Sequence, residues 1–113
     1  MKQQDLVWIS IPYSSLEQSK VRPAVIVSND SYNDKSQDIV VCAVTSKLDG
    51  MPYSILIDTS NLSIGKLPVK SRIRADKIMQ IEKNLVIRQF AQLNKKTFDL
   101  LTSEIVKLIQ RKK

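Results

Sequence analysis

Apolar residues fall in short blocks along most of the chain, and the blocks have the length of strands. "LVWISIPY" (6–13) reads as a strand ended by Pro12, and the polar "SSLEQSK" (14–20) as a loop. "RPAVIVSND" (22–30) is expected to be a strand entered at Pro23, where a missing backbone donor is tolerable. "NDSYNDKSQ" (29–37) reads as a turn or a single helical turn. "DIVVCAVTS" (38–46) is continuously apolar and turns polar at its end, which predicts a central strand buried on both faces. After a turn at 48–50, "YSILID" (53–58) alternates like a strand with one wet face. Residues 59–68, with Gly65 and Pro68, read as irregular. "PVKSRIRADKI" (68–78) opens the next strand, running to Ile81 with a bulge near residues 77 and 78, where the alternation slips. "NLVIRQF" (84–90) is the last strand. Then the period changes: Phe98, Leu101, Ile105 and Leu108 lie on one face of a helix, with Asn94 as its N-cap. The cations of "QRKK" suit the helix C-terminus. Six or seven strands and one helix predict a mainly β protein, a small bent sheet or barrel with a C-terminal α-helix.

The chain has 113 residues, the length of one domain over 1–113, and 42% of them are hydrophobic, enough for a core. The single cysteine, Cys42, lies in "IVVCAV" and reads as a buried small hydrophobe, which fits a reducing compartment. No window approaches the ~20 apolar residues of a membrane span, and the first residues lack a signal-peptide core, so a cytoplasmic location is expected.

Charge changes the picture. Residues 1–65 carry 5 basic and 7 acidic groups, while residues 66–113 carry 13 basic and 4 acidic groups. That asymmetry favours a polyanionic partner. On the strand at 68–78, Lys70, Arg72, Arg74 and Asp76 share one face and Val69, Ser71, Ile73 and Ala75 the other. Such a face either blunts a sheet edge or lines an anion-binding groove. Histidine, the commonest general base, is absent. There is no Cys/His zinc cluster and no glycine-rich phosphate loop. Asp30, Asp34 and Asp38 lack calcium-loop spacing and read as turn residues.

In "SLEQSKVRPAVIVSND" (15–30), Arg22 is held extended by the following proline, beside a polar loop. It is a permanent cation with a planar fork suited to phosphate oxygens. In "AVTSK" (43–47), Thr45 and Ser46 end a buried strand with hydroxyls able to bond an anion. Each is ordinary alone. In order and spacing, "DLVWISIPY", "EQSKVRPAVIVSND", "DIVVCAVTS" and "SRIRADKIMQI" together resemble the MazF/PemK family of toxin endoribonucleases over nearly the whole chain.

That resemblance implies a compact β-barrel related to SH3 folds with a C-terminal helix. It implies a homodimer that cleaves single-stranded RNA without metal or other cofactor and is inhibited by a cognate antitoxin. The family's catalytic arginine and threonine carry over to Arg22 and Thr45, and its upstream acidic position to Glu17. The Arg-x-Asp of the Kid/PemK branch matches Arg74 and Asp76, but that branch also uses a histidine, so its scheme does not transfer intact. Lys20, Ser46, Lys70 and Arg72 are the expected RNA contacts. Trp8 and Tyr13 could stack on bases, although Trp8 reads first as core. Two other classes remain, the second because its family resembles the implied fold. One is a non-catalytic RNA-binding barrel, or a toxin that has lost activity. The other is a CcdB-like gyrase-poisoning toxin, against which the ending "LIQRKK" argues, since that activity goes with an aromatic-glycine-aliphatic end.

Overall fold

The computed structural model describes residues 1–12 and 19–112. Tyr13 and Glu17, both singled out above, lie outside these residues. The elements are β1 (Asp5–Pro12), β2 (Ser19–Ile26), α1 (Asp30–Lys35), β3 (Asp38–Thr45), β4 (Ser54–Ile57), β5 (Leu62–Gly65), β6 (Ser71–Glu82), β7 (Val86–Leu93) and α2 (Lys95–Ile109). The strands form one antiparallel sheet of seven in the order β4-β6-β3-β2-β1-β7-β5. The fold is mainly β with a C-terminal helix, as the periodicity predicts. The ladder has two ends, at β4 and β5, so the sheet curls without closing into a barrel.

The curl lets both sheet faces bury apolar side chains. Leu6, Val25, Cys42, Val44, Ile73 and Leu93 form one cluster, sealed by Leu101 of α2 with Phe98 and Ile105 packed beside it. Val7, Ile9, Ala24, Ile26, Ile39 and Val41 form a second cluster, packed by Met79 and Ile81 from the far half of β6. β3 feeds both clusters, through Ile39 and Val41 on one side and Cys42 and Val44 on the other, because successive side chains point to opposite faces. Each fully buried Leu or Ile contributes about 1.5–3 kcal/mol by leaving water.

Three local departures from the sequence reading have physical causes. Pro23 stands inside β2, not at its mouth, because β2 begins at Ser19. The irregular stretch contains β5, a four-residue strand whose Gly65 has φ +85. A Cβ at Gly65 would lie 2.5 Å from the Phe90 carbonyl oxygen, so the glycine permits the close approach to β7. The bulge in β6 is wider than expected: Cys42 pairs with Ile78 but Val44 with Ile73, which leaves residues 74–77 looped out of the ladder to β3.

α2 starts at Asn94, whose side chain accepts the Thr97 N–H at 2.8 Å. Leu108, expected on the buried face, is exposed, with Val106 and Ile109 near it in the helix's last turns. α1 is capped by Asn29, and Asp30 accepts the Gln3 N–H at 2.9 Å. No helix of the described residues is long and apolar enough to cross a membrane.

Candidate active site

β2 pairs with β1 from Leu6↔Val25 to Pro12↔Ser19. With β3 it shares only Ala24↔Ala43, Val25↔Cys42 and Ile26↔Val41. The ladder stops just before Pro23, which has no N–H to continue it. Beyond that point the two strands part and a groove of about 820 Å³ opens. Extending the register places Arg22 level with Thr45 across the gap, and Thr45 is itself the ladder partner of Arg72 on β6.

The groove is lined by Lys20, Arg22, Lys47, Arg74 and Lys77, and by no carboxylate among the described residues. Thr45 and Ser46 supply hydroxyls to the same wall. The Thr45 hydroxyl accepts the Lys47 N–H at 3.2 Å, which leaves its own O–H to donate toward a ligand oxygen. Trp8 and Phe90 line the groove as a stacked pair with ring centroids 4.8 Å apart. Trp8 is half-buried and, contrary to its first reading as core, lies in the groove wall and in neither core cluster.

The charged face of β6 divides. Arg74 reaches the groove from the bulge, and its guanidinium donates two hydrogen bonds to Asp76, at 3.0 and 2.8 Å. Those bonds hold the Asp76 carboxyl below the usual carboxylate range and raise Arg74 further. Asp76, Arg72 and Lys70 do not line the groove. Arg72 turns toward Leu48 and Ser54, and Lys70 precedes the strand, where it adds to Ser60's hydrogen bonds in lowering Asp58. So Arg22, Thr45, Lys20, Ser46 and Arg74 share one groove, and the expected unbroken cationic stripe does not form. Lys47 and Lys77 were not singled out from sequence. Lys47 stands beside Ser46 in a charged turn, and Lys77 owes its place to the width of the bulge.

Burial pushes the Cys42 thiol up to about 12, with Asp76 adding to the shift, so this thiol is no nucleophile. Among the described residues no group of three His, Cys, Asp or Glu side chains is placed to hold a metal ion.

Fold and groove define a class first: a small curled antiparallel sheet, split at a proline to expose cations around a threonine hydroxyl. The family described as the PemK-like, MazF-like toxin of type II toxin–antitoxin systems matches residues 2–109. The chain belongs to this family. Endoribonuclease MazF of Staphylococcus saprophyticus is 29% identical over 87 residues, which cover 75% of this chain and 70% of that protein. A MazE–MazF crystal structure from Deinococcus radiodurans superposes with a TM-score of 0.82 at 18% identity, covering 99% of this chain and 98% of that one. A mycobacterial endoribonuclease in complex with its cognate antitoxin superposes with a TM-score of 0.80 at 17% identity, covering 100% and 99%. At such identities the structures speak for the fold.

Proposed function

We propose that the protein is a toxin endoribonuclease that cleaves single-stranded RNA without a metal, acts as a cytoplasmic homodimer and is restrained by a cognate antitoxin. The observation that carries this reading is the placement of Arg22 and Thr45 at one level across the split between β2 and β3, inside a groove lined by cations. Membership of the family and the named activity of the staphylococcal relative support it, and the antitoxin complexes among the structural neighbours support the partner.

The 2′-oxygen of one nucleotide attacks its own 3′-phosphorus and loses its proton. The bond from phosphorus to the 5′-oxygen breaks, and that oxygen takes up a proton. The products are a 2′,3′-cyclic phosphate and a 5′-hydroxyl. Negative charge grows on the non-bridging oxygens in between. Arg22, a permanent cation, stabilises it, and the Thr45 hydroxyl orients one of those oxygens. Arg74, set by Asp76, adds a second cation on the same groove. Lys20 and Ser46 contact neighbouring phosphates. A guanidinium is a poor proton acceptor, and Asp76 lies off the groove with its carboxylate held by Arg74, so the proton of the 2′-hydroxyl goes to Glu17 or water.

The test is a mixed-sequence RNA in excess EDTA. Wild type should cut it, and one deoxynucleotide 5′ to the scissile bond should stop cleavage there. Arg22→Ala should lower the single-turnover rate by about 10²–10³, as for loss of one oxyanion donor. Inhibition by EDTA, or cleavage at the deoxy position, would overturn the 2′-hydroxyl mechanism. A gel shift without cleavage would make the protein an RNA-binding module.

A further inference from the structure

Arg72 sits at the crossing of three strands, paired with Thr45 of β3 on one side and Leu56 of β4 on the other. Its side chain does not enter the groove. Nε donates to the Leu48 carbonyl at 3.1 Å and a terminal nitrogen donates to the Ser54 hydroxyl at 3.0 Å. The Ser54 hydroxyl in turn donates to the Met51 carbonyl at 2.6 Å. One guanidinium therefore bonds Leu48 within the 46–53 segment that joins β3 to β4 and Ser54 just beyond it, and Ser54 in turn holds Met51 between them.

That segment needs a tie. It is largely exposed, and Tyr53 within it has φ +56, a left-handed conformation that a bulky side chain adopts only when its surroundings impose it. The Ala75 N–H, which donates to the Tyr53 carbonyl at 2.9 Å, secures the same end. The segment is also a wall of the groove, to which it contributes Ser46, Lys47 and Met51.

We infer that Arg72 is a positioning residue, which fixes the 46–53 wall and thereby selects which RNA sequences fit beside the scissile phosphate. This rests on the ribonuclease reading above. A planar fork reaches two acceptors at once, and a lysine ammonium on a flexible stem does not reproduce it. Conserving the charge therefore does not conserve the function.

Arg72→Lys and Arg72→Gln are compared with wild type, with thermal melts to show that each is folded. Cleavage of a mixed-sequence RNA should redistribute among sites by at least about fivefold in both variants, with KM at the favoured site rising more than kcat falls. Amide exchange over 46–53 should speed up by about tenfold or more. The salt dependence of binding to a deoxy-substituted oligonucleotide should stay unchanged in both. A lysine variant with wild-type cleavage sites and wild-type exchange would overturn the inference. So would a glutamine variant whose log–log salt slope falls by about 0.7, the mark of a lost phosphate contact on a single strand. A wild type that cuts no RNA overturns the ribonuclease reading and the selection role with it. The holding of the wall is then decided by exchange alone, supported by faster exchange in the variants and overturned by its absence.

Discussion

At Asp76 the surroundings act in one dominant direction. Arg74 holds the carboxylate with two hydrogen bonds and lowers its pKa from the ordinary 3.8. A carboxyl lowered on folding stabilises the protein above its unfolded pKa, and that contribution is lost as pH falls through the folded value. Asp76→Asn should therefore melt below wild type at about pH 6, and the gap should close as pH is taken from about 4 toward 2. Melting temperatures across that range decide it; a gap independent of pH would assign the loss to something other than the charge. Arg74 and Asp76 were legible in the sequence as an Arg-x-Asp pair on a strand face. Their separation from Arg72 was not. Alternation puts Arg72 and Arg74 on one side, but the three-dimensional positions of Leu48 and Ser54 turn one guanidinium away from the groove.

Among the elements, α2 was the most readable, because a 3.6-residue period preceded by asparagine is a signal local to the chain. Asn94→Ala removes the acceptor for the Thr97 N–H and should cost about 1 kcal/mol, measured as a lower denaturation midpoint at unchanged slope. No measurable cost would mean that Asn61, whose carbonyl accepts the Asn94 N–H at 2.9 Å, secures the helix start by itself. β5 was illegible for the opposite reason. "LSIG" is too short to show a period, and it becomes a strand only by pairing with β7. The wide bulge in β6 was half legible: the slip in alternation marked its place, but its extent is set by the register of β3.

For the molecule as a whole, the excess of cations in the second half of the sequence says nothing about where they gather. Folding brings Arg74 and Lys77 from that half onto the same groove as Lys20, Arg22 and Lys47 from the first. Lys95 and Lys96 begin α2, away from the groove. Position in the fold, more than net charge, should then govern binding to a polyanion. Lys77→Ala should reduce the log–log salt slope of RNA binding by about 0.7, while Lys96→Ala should leave it as in wild type. Equal slopes for wild type and both variants would mean that Lys77 meets only water.

The parting of β2 from β3 also has a mechanical side. Residues 19–23 are a cantilever, anchored along one edge to β1 and clamped at Ala24, with no ladder rung to β3 among the described residues. Bending this stretch changes the width of the groove without breaking a backbone hydrogen bond between β2 and β3. The outer part of the stretch, residues 19–21, is a two-stranded ribbon, because β1 pairs with β7 only as far as Ile9. Arg22, next to the clamp, moves little under such bending. The groove thus keeps a fixed reference point at Arg22, beside the clamp, whatever its width elsewhere.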